Sequence, residues 1–234
     1  MFDGKLKAVT FSYDDGVTQD IRLIEILNKY NLKCTFNLNS GKLGINQNIV
    51  REDVEITQNK IKAEDVKFVY EGHEVAAHTI CHPCLTILND WAVVKQVEED
   101  RLCLSEFVGY EVVGMAYPGG GGGPLYDSRV SNLIKEKTGI KYARITTPSF
   151  NFDLQDNLYE FSPTIHHHNN WDKLFELGQQ FIDMKSDMPQ IFYIWGHAYE
   201  FDIYNDYDRF EEFCKLISGK DDIFYGTNKE ILLK

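Results

Sequence analysis

The sequence predicts an α/β fold on parallel strands, either an open doubly wound sheet or a closed barrel. Short β-rich runs alternate with longer helical patterns, and polar clusters sit just past the predicted strands. Residues 7–13, 33–38, 73–77, 111–117, 140–145, 159–165 and 190–195 read as strands, each too short for a helix and rich in Val, Ile, Phe or Tyr. Between them, residues 20–30 place Ile21, Ile24 and Leu27 on one helical face. Residues 90–108 do so with Trp91, Val94, Val97, Leu104 and Phe107. About seven strand–helix–strand repeats imply parallel strands joined by right-handed crossovers. The chain has no linker or internal repeat, and its 234 residues suit a single domain spanning 1–234.

Composition narrows the partners. Lys plus Arg number 24 against 36 Asp plus Glu, a net charge of −12 with no basic cluster, which disfavours nucleic acid and anionic membranes. Residues 1–7 lack the apolar run of a signal peptide and no segment is apolar for ~18 residues, so a cytoplasmic location is expected. Five cysteines, odd in number and scattered, do not form a disulfide framework, and the lone Cys81-x-x-Cys84 has no second pair to complete a zinc knuckle. The polar stretch 41–65 reads as an insertion with a short helix, covering the site.

In parallel α/β folds, sites form at the C-terminal strand ends. The first strand runs into Asp14-Asp15-Gly16. Adjacent carboxylates repel unless a cation holds one, so a metal ligand beside a free base resolves the pair; a helix N-cap and turn is the alternative. His78 and His82 stand at i and i+4, which on a turn of helix faces both toward one metal; polar groups beside a core would look the same. Asp15, His78 and His82 supply three ligands and leave a position for water, as catalytic zinc sites do. His166-His167-His168 cannot all face one ion from a strand, so one or two line the cleft. The glycines at 119–123 lack the Lys-Ser/Thr of a phosphate loop and read as a wall letting substrate approach the backbone.

From Thr10 to about Asp202 the chain resembles the polysaccharide deacetylases, carbohydrate esterase family four, also called the NodB homology domain. The family's T-F-D-D-G is similar to Thr10-Phe11-Ser12-Tyr13-Asp14-Asp15-Gly16 with two residues intervening. Its H-[ST]-x-x-H matches His78 to His82, and its final motif looks like Trp195-Gly196-His197. The resemblance implies a distorted (β/α) barrel of about seven parallel strands that removes N- or O-acetyl groups from an acetylated sugar or oligosaccharide. It implies Asp14 as general base, His197 as general acid, and one divalent metal on Asp15, His78 and His82. Zinc is the expected ion, with Co2+, Ni2+ or Fe2+ as alternatives. Tyr117, Pro118, Gly119 and Trp195 would bind substrate, Trp195 standing where family members place a leucine against the acetyl methyl.

Two motifs depart from the pattern. The family's R-x-P-[FYW] appears as Ala116-Tyr117-Pro118-Gly119, so the arginine that orients the base is missing; Arg144 is the nearest substitute, unless it is a surface arginine. The Asp partner of the catalytic histidine corresponds to Asn169-Asn170-Trp171, with Asp153 and Asp156 as stand-ins. Two rival readings remain: a metallohydrolase of the same fold cleaving another C–N bond, and a non-catalytic sugar-binding protein. Intact Asp14 and His197 favour an enzyme, because binding alone needs neither.

Overall fold

The computed structural model describes residues 1–119, 124–168 and 170–233, so most of the glycine run and Asn169 of the proposed Asn-Asn-Trp motif lie outside the described residues. Strand β1 (Lys7–Asp14) is followed by α1 (Asp20–Lys29), β2 (Cys34–Leu38), the hairpin β3 (Asn48–Arg51) and β4 (Val54–Thr57), α2 (Val66–Val69), β5 (Glu74–Ala77) and α3 (Asp90–Val108). Then come β6 (Gly114–Ala116), α4 (Ser128–Lys137), β7 (Tyr142–Arg144), β8 (Ile165–His166), α5 (Trp171–Asp183), β9 (Gln190–His197), α6 (Glu200–Tyr204), α7 (Tyr207–Ile217), β10 (Ile223–Tyr225) and α8 (Asn228–Leu232).

Seven strands run in the order β7-β6-β5-β2-β1-β9-β8, and β10 pairs with the start of β1; every pairing is parallel. Every residue of β1 is buried, as expected for a strand covered by helices on both faces. The row curls into a distorted barrel because residues 161–166 touch both of its ends. Phe161 N donates to Ala143 O of β7 (2.9 Å) and Thr164 N to Tyr193 O of β9 (2.8 Å). The strand read over 159–165 is thus split: Leu158–Glu160 is a 3-10 turn, and Pro163, which has no N–H to give, separates Phe161 from β8.

Other expectations shift in detail. The inward face of α3 is Val93, Val97, Leu104 and Val108; Trp91 is 70% exposed, because the stripe that reaches the sheet is set by i, i+4 continuity and not by the largest apolar side chain. Ile21 is likewise exposed on α1. The insertion carries the β3–β4 hairpin in place of a helix, with a 3-10 turn at Ala63–Asp65. All five cysteines are free thiols, Cys81 exposed and Cys84 buried. Among the described residues no helix is long and apolar enough to cross a membrane.

The end of β9 is fixed by close packing. A Cβ on Gly196 would collide with the imidazole of His167, which is fully buried and stacks between Tyr13 and Phe201. Gly196→Ala is therefore expected to destabilise the fold by about 1–3 kcal/mol through overpacking. Urea denaturation checks this, and a variant as stable as the parent would mean that His167 can give way at no cost.

Candidate active site

β1 ends by placing two carboxylates in different directions. Asp14 is its last residue and stands in register with Asn37 of β2 on one side and His197 of β9 on the other. At Asp15 the chain turns with φ 85°, which is strained for a residue with a side chain, and Gly16 follows at φ 61°. The turn is pinned by Asp15 N donating to Asn37 O at 2.9 Å.

His78 and His82 do not share a helical turn. Thr79 and His82 have φ of 68° and 62°, so the segment after β5 is a tight loop, with His82 N donating to Thr79 Oγ1 at 3.1 Å. The loop brings the imidazoles together by another route than i, i+4 spacing, with ring centroids 4.8 Å apart. Asp100 of α3 anchors it, accepting from Ser40 N at 2.7 Å and His78 N at 3.0 Å.

Ligand atoms of Asp15, His78 and His82 all lie within 4.8 Å of one another. His78 Nδ1 faces Ala116 O at 2.8 Å, which makes it the donor and leaves Nε2 as a lone pair; that Nε2 is buried and without a hydrogen-bond partner. Burial holds the His78 imidazole down at about 4, neutral near pH 7 as a ligand must be. Burial also raises the cost of the Asp15 carboxylate, but Lys60 and the neighbouring imidazoles outweigh it and keep the group ionised. An orphaned buried nitrogen beside a second imidazole and a carboxylate is a donor set that fits one divalent ion.

Asp14 is held by an arginine from the far end of the row. Arg144 is fully buried, and its Nη2 donates to Asp14 Oδ1 at 2.6 Å and Oδ2 at 2.5 Å, while Asn37 Nδ2 donates to Oδ1 at 2.8 Å. Burial opposes the charge on Asp14, yet Arg144 and then His78 and His197 pull the carboxyl below its usual value. The guanidinium also lies over Trp195, 4.4 Å from the ring centre.

His197 faces the pair from β9. Its Nδ1 lies 3.2 Å from Glu200 Oε1, and its backbone N donates to Glu200 Oε2 at 2.9 Å. Burial disfavours the cation, but Glu200, Asp15 and Asp14 outweigh it and push the imidazole up to about 9. His166 Nε2 stands 3.2 Å from Glu200 Oε2 on the other side.

The polysaccharide deacetylase profile matches residues 3–143. The chain belongs to the polysaccharide deacetylase family. Solved structures agree on the fold. A family 4 carbohydrate esterase from Streptomyces lividans, in complex with acetate, superposes with a TM-score of 0.57 at 14% identity, covering 95% of this chain and 92% of its own. A peptidoglycan deacetylase from Bacillus subtilis gives 0.56 at 16%, covering 97% and 90%. A polysaccharide deacetylase from Bacillus cereus gives 0.56 at 17% over 71% of this chain, which spans about half (49%) of that protein's length. No curated protein matches at the sequence level.

Against the family's motifs, the structure relocates several residues. Arg144 occupies the place beside Asp14 left open by Ala116. The partner of His197 is Glu200, not the residues considered from sequence: Asp153 and Asp156 are exposed, and the Asn170 side chain caps α5 by accepting from Lys173 N. Glu200 lies three positions after His197 at the start of α6, the i, i+3 spacing being the one signal that could have found it. Tyr117 is not a substrate contact, since its ring is fully buried and its hydroxyl is spent on Tyr159 O at 2.9 Å. Pro118 is buried beside it, whereas Gly119 lines the cleft. Trp195 packs between Arg144, His166 and His197. The three histidines diverge: His166 turns to Glu200, His167 into the core, and His168 to Asp206. The insertion adds Lys42, Arg51, Gln58 and Lys60 to a cleft of about 490 Å3 that also holds Asp15, His82, His197, Tyr199 and Glu200.

Glu200→Gln tests the hold on His197 directly. With the neutralised partner the largest raising influence is gone, and the imidazole value in the metal-free protein, followed by NMR, is expected to fall from about 9 toward the ordinary 6.5. The sign for stability follows: a raised value contributes stability below pH 6.5 that is lost as pH rises through about 9, and the variant should lack that loss. An unchanged titration would show that Glu200 does not sustain the charge.

Proposed function

We propose that this chain hydrolyses the acetyl group of an acetylated sugar or oligosaccharide, with Asp14 as base, His197 as acid, and a divalent ion on Asp15, His78 and His82. The observation that carries this is the contrast between neighbours: Asp15 is one of three groups whose ligand atoms converge, while Asp14, with Oδ2 4.0 Å from His78 Nε2 at the edge of that cluster, is held by Arg144. Asp15, His78 and His82 would hold the ion, zinc being the best match to these donors, and when bound it would supply Lewis-acid polarisation of a carbonyl and a water of pKa lowered towards ~7.

The chain's own groups supply the proton traffic. Asp14, ionised by Arg144 and Asn37, takes the proton of the attacking water. His197, kept cationic by Glu200, gives a proton to the departing sugar nitrogen or oxygen as the bond to the acyl carbon breaks and acetate leaves. A backbone N–H at Gly119, on the cleft wall, is assigned to the developing oxyanion. Trp195, standing where family members place a leucine, gives the acyl end a different shape and packs under the Arg144 guanidinium. The full-length match to a peptidoglycan deacetylase and a carbohydrate esterase supports acetyl transfer to water over cleavage of other C–N bonds.

Acetate release from N-acetylated oligosaccharides and acetylated xylan is the assay. Asp14→Asn should keep the metal and lose ~10²–10⁴ of the rate, His197→Ala should behave likewise, and Asp15→Asn should lose both metal and rate. Metal content and turnover measured together on the three variants check this. A fully active Asp14→Asn protein would place the base elsewhere, hydrolysis without acetate would point to another C–N bond, and metal without any hydrolysis would point to a binding protein.

A further inference from the structure

The chain carries a net charge of −12, yet the outer wall of the cleft is basic. Lys42, Arg51 and Lys60 line it, all from the insertion between β2 and α2. Lys60 is committed to the inner end, donating to Asp15 O at 2.9 Å with its ammonium 3.7 Å from the Asp15 carboxylate. The cleft's two carboxylates are committed too, Asp15 to the ligand cluster and Glu200 to His197 and His166. What remains is a pair of cations without a partner: among the described residues neither Lys42 nor Arg51 makes a hydrogen bond or ion pair through its side chain. Gln58, 7% exposed, is similar. Its Oε1 accepts from Gln47 at 2.5 Å, and its amide N–H groups have no acceptor among the described residues.

Arg51 is exposed and Lys42 partly so; with no protein carboxylate holding either, both are free, with the Gln58 amide, to meet an anion in the cleft they line. Their placement is held, however. The hairpin tip is tied down by Tyr204 of α6 donating to Glu52 at 2.8 Å, and Lys60 bridges to Val17 beside the ligand turn. A guanidinium offers a planar fork that matches a carboxylate or a phosphate, and a nearby ammonium adds charge without fixing direction.

We infer that Lys42, Arg51 and Gln58 form an anion subsite, and that the preferred substrate is an acidic acetylated saccharide carrying a carboxylate or a phosphate ester near the reacting acetyl group. This rests on the acetyl-sugar reading above and deepens it. The anion anchors the sugar at Lys42, Arg51 and Gln58 while the acetyl group reaches Asp15, His82 and His197 in the same cleft.

The test uses the metal-loaded full chain and three acetylated oligosaccharides that differ in one substituent: a hydroxyl, a carboxylate or a phosphate. An acidic substrate is expected to exceed the neutral one in kcat/KM by about tenfold, mainly through KM, with the advantage shrinking as salt is raised. In the Lys42→Gln/Arg51→Gln double variant the acidic-to-neutral ratio should fall to near one. Which acidic substrate gains assigns the anion as carboxylate or phosphate. Equal kcat/KM for all three, or a preference that survives the double variant, overturns the subsite. If none releases acetate, the hydrolytic reading has failed on its own, and calorimetric binding of the same three saccharides decides the subsite. Tighter acidic binding abolished in the double variant upholds it, and equal binding overturns it.

Discussion

The arrangement depends on one buried ion pair, Arg144 with Asp14. Both side chains are almost fully removed from water, a costly state for either charge alone, and each makes the other tolerable. The pair spans 130 residues of sequence and joins the end of β1, at the middle of the row, to the end of β7, at its edge. It can form only because the row curls, bringing the far strand end over the central one. Asn37 and Trp195 complete the cage, one donating to the carboxylate and the other presenting its ring to the guanidinium. The carboxyl is thereby kept ionised at rest in a dry setting, the form from which the proposed base would accept a proton.

Burial alone would do the reverse, and the same protein provides the contrast. Asp20 and Asp100 are also buried aspartates, and there burial prevails, raising them to about 8 and about 7. Hydrogen bonds from Tyr70, or from the backbone at Ser40 and His78, do not replace a cation. Asp100 serves as an anchor for the histidine loop, a task an uncharged acceptor performs as well. Among these four buried aspartates, ionisation tracks the charge of the neighbours and not the depth of burial.

The site also carries backbone strain. Asp15, Thr79 and His82 all sit in the left-handed region without being glycine, and all three lie on the two turns that carry the proposed ligands. Each turn is held by backbone hydrogen bonds from a neighbouring strand end, Asn37 for the first and Leu38 for the second. Rigid parallel strands thus support conformations that a free loop would abandon, and the ligand atoms are close together before any ion arrives.

Much of this was legible in the sequence. The parallel α/β class, five of the seven strands to within a residue or two, and the helices at 20–30 and 90–108 follow from periodicity, because buried parallel strands and amphipathic crossovers leave strong local patterns. The Asp14-Asp15-Gly16 and His78–His82 clusters were visible because they lie at strand ends, where the chain must turn. What the sequence could not decide was pairing across distance. That Arg144 meets Asp14, that Glu200 and neither Asp153 nor Asp156 backs His197, that Tyr117 turns inward, and that the insertion lends its cations to the cleft all depend on how far the row curls. Strand and helix are set by neighbours within a few residues, and so can be read locally. The charge and accessibility of a side chain at a strand end are set by whichever distant element the folded sheet brings against it.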